Sequence, residues 1–178
     1  VVNSATLNLI NFVAQGNAKP VDLNADGSIS VTFSANYAGS YLPIPAEYAD
    51  LKYVELSVAS AKNGEAMADG NQIAFIDTDG QEIVTKYAKG VITVVVPADK
   101  TLGKIVFNAQ KASAEENQVM TIDYVKVAKI ENMDLSTFNK GGASEMVQNA
   151  DGSVTLTFGA AAYTGSGMAI PAEYANRT

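Results

Sequence analysis

The sequence predicts an all-β protein, an antiparallel β-sandwich followed by a partial second copy of the same domain. Three observations carry this. Short segments of period-two hydrophobic alternation recur about every 10 residues, separated by turn residues. No helical period competes with them, since Ala112 to Asn117 offers one turn of helix at most. The stretch from Asn24 to Tyr48, NADGSISVTFSANYAGSYLPIPAEY, returns from Asn149 to Tyr174 as NADGSVTLTFGAAAYTGSGMAIPAEY. The offset is 125 residues at NADGS and 126 at Tyr37/Tyr163, Gly39/Gly165 and PAEY. A period that long is a whole domain, because solenoid units run about 20 to 50 residues. Residues 1–130 are therefore expected to form one complete sandwich, and residues 131–178 the N-terminal part of a second. The start at Val1 and the stop at Thr178 read as a piece cut from a longer protein.

The elements follow in order. Thr6 to Val13 alternates loosely and reads as a first strand, with a short one near Val21. Ser28 to Phe33 is cleaner: Ile29, Val31 and Phe33 point one way, and Ser28, Ser30 and Thr32 the other. The Asp26-Gly27 pair before it is a turn signal. Asn36 to Pro45 is a Gly-, Ser-, Tyr- and Pro-rich loop holding a short strand. In Lys52 to Ala61, Val54, Leu56 and Val58 face inward, and Tyr53, Glu55 and Ser57 outward. Gln72 to Asp77 and Glu82 to Tyr87 form a hairpin across Thr78-Asp79-Gly80. Val91 to Val96 is apolar on both faces and is expected to be central or covered. Lys104 to Gln110 puts Ile105, Phe107 and Ala109 in the core, and Val119 to Ile130 closes the copy.

Composition narrows the partners. The formal charge is -7 and no basic face is visible, which speaks against nucleic acid and anionic membranes. No apolar run reaches the length of a membrane span. With no cysteine and no histidine, Ser-His and Cys-His catalysis and disulfides are excluded, and no pair of carboxylates stands out by position. The expectation is a protein that is not an enzyme.

An incomplete sandwich would leave Val154, Leu156 and Phe158 without a facing sheet. One expectation is a strand-exchanged homodimer, the tail taking the place of Asn24 to Tyr48 in a neighbour. The alternative is docking on its own complete copy or on another molecule.

Asp22, Asn24, Asp26 and Gly27 match the first half of a calcium loop, but Phe33 stands where the closing carboxylate belongs, so a plain β-turn is expected. Asp77-Thr78-Asp79-Gly80 is likewise read as a turn. Asp123, inside the apolar strand IDYVKV, needs a partner there, either backbone amides or a structural calcium ion.

The aromatics are eight Tyr and six Phe with no Trp. Phe33, Phe75, Phe107 and Phe158 occupy inward positions, whereas Tyr37, Tyr41, Tyr53 and Tyr87 fall in loops, at strand starts or on outward positions. Sugar rings stack on such tyrosines through their axial C–H groups, while their hydroxyls bond amides and carboxylates such as Glu55, Asn108 and Gln110. The plainer alternative is that these tyrosines cap the core edges with wet hydroxyls.

The order of motifs resembles a known family. P-A-E-Y is followed by V-E-L-S-V, V-I-T-V-V-V-P, K-I-V-F-N-A-Q and M-T-I-D-Y-V-K-V. This is similar to the jelly-roll carbohydrate-binding modules of bacterial plant-polysaccharide hydrolases, above all the xylan-binding modules of gut and rumen xylanases. The resemblance covers one copy and departs from the family in lacking Trp. It implies a secreted, non-catalytic module in a tandem array, extracellular or at the bacterial surface and tethered to a glycoside hydrolase. Its ligand would be a neutral β-linked polysaccharide, xylan before β-glucan or mannan. It also implies that Asp123 ligates a structural calcium ion. A rival expectation is a structural or adhesive tandem repeat of a bacterial surface protein.

Overall fold

A computed structural model describes residues 4–68, 71–113, 115–130, 135–150, 153–159 and 165–169. The chain divides into two compact units, Val1–Ile130 and Glu131–Thr178.

The strands of the first unit are, in order, β1 (Ser4–Thr6), β2 (Ala18–Leu23), β3 (Ile29–Phe33), β4 (Ser40–Pro43), β5 (Tyr53–Lys62), β6 (Glu65–Ala66), β7 (Asn71–Asp77), β8 (Glu82–Ala88), β9 (Gly90–Val95), β10 (Leu102–Asn108) and β11 (Gln118–Ala128). They make two antiparallel sheets. The larger runs β2-β3-β11-β5, with β9 and β6 both on the far side of β5 and β1 continuing the line of β3 along β11. The smaller runs β4-β10-β7-β8. Strands β3, β5, β9 and β11 of one sheet interleave in sequence with β4, β7, β8 and β10 of the other. That eight-strand order is a jelly roll.

The alternation read from the sequence builds the core. Ile29, Val31 and Phe33 of β3, Leu56 and Val58 of β5, Ile73 and Phe75 of β7, and Ile105 and Phe107 of β10 are buried between the sheets. One end of this layer is polar. The Gln118 side chain of β11 donates to Asn71 at 2.6 Å and Ser60 at 3.1 Å, and accepts from the backbone amides of Gln110 and Lys111 at 3.2 and 3.0 Å. All three side chains are buried, so the network ties β11 and β5 of one sheet to β7 of the other.

Two sequence expectations need correction. Thr6 to Val13 is not one strand: β1 ends at Thr6, and Leu9–Asn11 is a 3-10 turn that buries Leu9, with Asn8 accepting the Ile10 amide at 3.1 Å. Val91 to Val96 is not central. It forms β9 and its exit, at the edge of the larger sheet; Ile92, Val94 and Val96 are buried, but Val91 and Val95 are 63% and 62% exposed.

In the second unit, β12 (Glu145–Gln148) pairs with β13 (Val154–Thr157). Gln148 faces Val154 and Val147 faces Thr155, as Leu23 faces Ile29 and Asp22 faces Ser30 in the first unit. The turn chemistry repeats too: Asn24 donates to Ser28 and Ser30 at 2.9 and 3.1 Å, and Asn149 to Ser153 and Thr155 at 2.8 and 2.9 Å. The isolated bridge Val13–Tyr41 likewise has its counterpart in Asn139–Gly167. One difference is large: Phe33 is fully buried, whereas the corresponding Phe158 is 51% exposed. Tyr163 and the second PAEY lie outside the described residues.

Candidate functional site

The outer face of β4-β10-β7-β8 carries a row of amides between tyrosines. Strand register sets it. Tyr41, Val106, Ala74 and Thr85 stand side by side across the four strands, and Asn108, Gln72 and Tyr87 form the next row. Strand spacing of about 4.8 Å separates Tyr41 from Thr85, at the far side of its row, by about 14 Å. Ala74, Val106 and Thr85 are small, so the floor between the edge rings is low.

The polar row is hydrogen-bonded end to end. The Gly39 backbone amide donates to Asn108 Oδ1 at 2.8 Å. Asn108 Nδ2 donates to Gln72 Oε1 at 2.9 Å, and Gln72 Nε2 to the Tyr87 hydroxyl at 3.1 Å. The amides are thereby fixed in orientation, and the second Nδ2 and Nε2 hydrogens remain to be donated outward. The Tyr87 ring itself is 67% exposed.

At the β4 side, Tyr37 is 64% exposed and sits at φ +56°, left-handed backbone that costs a bulky residue about 1 to 2 kcal/mol. The loop is pinned on both sides of it. The Ala112 amide donates to Asn36 Oδ1 at 2.8 Å, and the Tyr37 amide to the Ala109 carbonyl at 3.4 Å. The Tyr37 hydroxyl donates to Gln110 Oε1 at 3.4 Å, while the buried Gln110 Nε2 has no partner among the described residues. Lys104 Nζ lies 5.1 Å from the Tyr41 ring centre. Beyond Lys104 the surface dips into a recess of about 420 Å³ lined by Ile44, Pro45, Thr78, Gly80 and Gly103.

The structure thus brings Tyr37, Tyr41, Tyr87, Asn108 and Gln110 to one sheet, and separates Tyr53 and Glu55 from them. Those two lie on the outer face of the larger sheet, on the opposite side of the sandwich. There Glu55 is occupied: Tyr124 donates to it at 2.9 Å, Tyr53 at 3.4 Å, and Lys126 stands 4.0 Å away, over the Tyr124 ring. Burial and then the Glu55 charge push the Tyr53 hydroxyl up. The hydrogen bond to Glu55, then burial, does the same for Tyr124. Both phenols therefore stay neutral donors to Glu55 at ordinary pH. Gln72, the centre of the amide row, escaped the sequence reading. It sits at the start of a strand, and only the pairing of β7 with β10 puts it beside Asn108.

Asp123 is not enclosed in the closing strand. The register between β11 and β5 shifts between Ile122 and Tyr124, and the bulge turns the carboxylate to solvent, where it accepts the Ser57 hydroxyl at 2.5 Å. Calcium takes six to eight oxygen ligands. Among the described residues no group of three or more acidic, His or Cys side chains converges at Asp123. The Asp26 and Asp77 loops are turns: Asp26 accepts the Ser28 amide, and Asp77 those of Asp79 and Gln81.

Fold and face together define a jelly-roll sandwich whose smaller sheet presents an open, ring-bordered amide surface. No family model matches the chain, and no curated protein matches it. Among solved structures it is similar to CBM86, a low-affinity xylan-binding module from the gut symbiont Roseburia intestinalis, at 16% identity and TM-score 0.49, covering 70% of this chain and 93% of that one. A CBM4 structure is similar at 16% identity and TM-score 0.45, covering 68% and 96%. So is an accessory secretory protein of Streptococcus pneumoniae, at 13% identity and TM-score 0.40, covering 66% and 90%. One fold hosts many functions, so the side chains on the face decide the reading.

Proposed function

We propose that the outer face of β4-β10-β7-β8 binds a neutral β-linked polysaccharide, xylan first and then β-glucan or mannan. The observation that carries this is the hydrogen-bonded row Asn108–Gln72–Tyr87 set between exposed tyrosine rings. Tyr37, Tyr41 and Tyr87 stack on or flank the sugar rings. Asn108, Gln72 and Gln110 donate to and accept from the hydroxyls. A neutral ligand suits a face whose polar groups are amides and phenols, with Lys104 drawn over Tyr41. Affinity is modest, between about 1 μM and 1 mM, because each hydroxyl gives up water to make its new bond.

The module is non-catalytic on this reading and raises the local concentration of a tethered glycoside hydrolase on insoluble substrate, outside the bacterial cell. The second unit then opens another copy of the module. Its half-exposed Phe158 and its hairpin register, shared with the first unit, support that, with strand exchange as one way of covering it. Isothermal titration with xylo-oligosaccharides tests the glycan reading directly. Absence of heat with xylan, β-glucan and mannan oligosaccharides alike would sink it.

The repeated hairpin also favours a second reading, a spacer or adhesive repeat of a surface protein. Affinity electrophoresis separates the two: a spacer migrates unchanged through gels containing soluble glycans.

A further inference from the structure

We infer that β9 is a self-pairing edge, through which two copies of the first unit join their larger sheets into one. A sheet edge left open is a template for another strand, and proteins block such edges with charge, proline, bulges or cover. Among the described residues five of the six edge strands are blocked or too short to serve: β1 and β6 have only three and two residues. Strand β2 carries Lys19, Pro20 and Asp22 and a register break. The outer edge of β4 is bonded to Val13 in both directions, at 2.8 and 3.0 Å. Strand β8 has Glu82, a register break, and Lys86 opposite the inward Ile73. Strand β9 has none of these devices: Gly90 to Val96 reads GVITVVV, without charge, proline or bulge.

The backbone of β9 shows which groups are free. The Val96 amide donates to the carbonyl of Lys52, the residue before β5, at 2.7 Å. Alternation along the strand then turns Ile92 and Val94 toward β5, and Val91, Thr93 and Val95 away from it. Among the described residues, no backbone bond reaches those three from the outer side. Their side chains share the outer face of the sheet, and Val91 and Val95 are its exposed apolar positions there.

The occupant that fits is a second β9. Antiparallel pairing about a two-fold axis at Thr93 puts Thr93 opposite itself and Val91 opposite Val95 of the other copy. All three are residues whose amide and carbonyl face outward, so each pair makes both bonds of a hydrogen-bonded pair. The axis also sets the two valine pairs in contact on the outer face. No charged residue stands between Gly90 and Val96, so the register brings no like charges together within the contact. The contact is a single strand wide and smaller than a standard interface of about 1,600 Å², so the dimer forms at high concentration. It is independent of what the tyrosine face binds.

Sedimentation equilibrium of the whole chain tests it. The expected mass rises with concentration from 18.6 kDa toward twice that value and no further. Val91→Lys with Val95→Lys sets lysine against lysine in the two-fold register and is expected to hold the chain at monomer mass. Val91→Lys with Val95→Glu sets lysine against glutamate twice and is expected to dimerise, more weakly as salt rises. Hydrogen exchange provides a check without substitution: the Val91, Thr93 and Val95 amides gain protection with concentration. A wild-type chain that stays monomeric at its solubility limit overturns the proposal, as does open-ended association. A dimer that survives the double lysine change also overturns it, and moves the contact to residues 131–178, where strand exchange would act.

Discussion

Asn108 of β10 donates its side-chain amide to Gln72 of β7 at 2.9 Å, across two neighbouring strands on the open face of the smaller sheet. The bond holds both amides upright, between the Gly39 backbone on one side and the Tyr87 hydroxyl on the other. Asn108→Ala breaks this row at its middle. The expected result is about a tenfold weaker grip on xylo-oligosaccharides, about 1.4 kcal/mol, with the thermal midpoint little changed. Titration calorimetry beside a melting curve reads both.

The tyrosines divide by sheet. Tyr87→Ala and Tyr41→Ala each remove a ring from the proposed face, and each should lower glycan affinity by about 0.5 to 1.5 kcal/mol. Tyr53→Ala acts on the opposite face, where its hydroxyl serves Glu55, and should leave affinity unchanged. Affinity electrophoresis of the three variants on one gel decides it. A loss confined to Tyr53→Ala would move the site to the larger sheet.

Acid should act through Asp77. Its carboxylate accepts from Lys100 at 2.9 Å and from the Gln81 and Asp79 amides at 2.7 and 3.0 Å, and these bonds hold it below its usual 3.8. The folded value lies below the unfolded one. The stabilisation is therefore complete only well above the unfolded 3.8 and is lost as pH falls from there through the lowered value. Asp77→Asn should lower the denaturation midpoint at pH 7 and flatten its decline between pH 5 and 3. Urea titrations at those pH values measure this; an unchanged slope would assign the acid sensitivity to other groups.

Gly103 lies in the bulge between Leu102 and Lys104. A Cβ there would stand 2.9 Å from the Asp77 carbonyl oxygen and 3.1 Å from the Thr78 Cα, both backbone atoms that cannot swing aside. Gly103→Ala is expected to destabilise the fold by about 1 to 3 kcal/mol. Equilibrium denaturation checks it.

Gln118→Ala should cost more. It deprives the Gln110 and Lys111 amides of their acceptor and Asn71 of a donor in a buried layer, about 2 to 4 kcal/mol in all. Gln118→Glu keeps the acceptor for the two amides but loses the donor to Asn71, and buries a charge. Its midpoint against that of the alanine variant separates the lost hydrogen bonds from lost packing.

Much of the fold is legible in the residues. Alternation in β3, β5, β7 and β10 announces which side chains turn inward, and Ile29, Leu56, Phe75 and Phe107 are buried accordingly. Alternation does not say which of two outer faces a residue joins. Tyr53 and Tyr41 look alike in sequence and end on opposite sides of the sandwich, because strand order, a long-range property, assigns β5 to one sheet and β4 to the other. Strand β9 misleads for a related reason. Valine on both faces is the mark of a covered strand, and an edge strand with an apolar outer side reads the same. At Asp123 a bulge moved the side chain by one position, and nothing local in IDYVKV signals it.

The shared register of the β2-β3 and β12-β13 hairpins poses a problem of timing. Strand β11 needs a hairpin beside it, and two of matching design exist in one polypeptide. Translation runs from the N-terminus, and domains mature as they emerge. When Ala128 leaves the ribosome, the first hairpin is waiting and residues 145–157 are still enclosed in the exit tunnel. The order of synthesis thus offers β11 its own partner before the second hairpin is free to fold, an ordering that refolding from denaturant does not share.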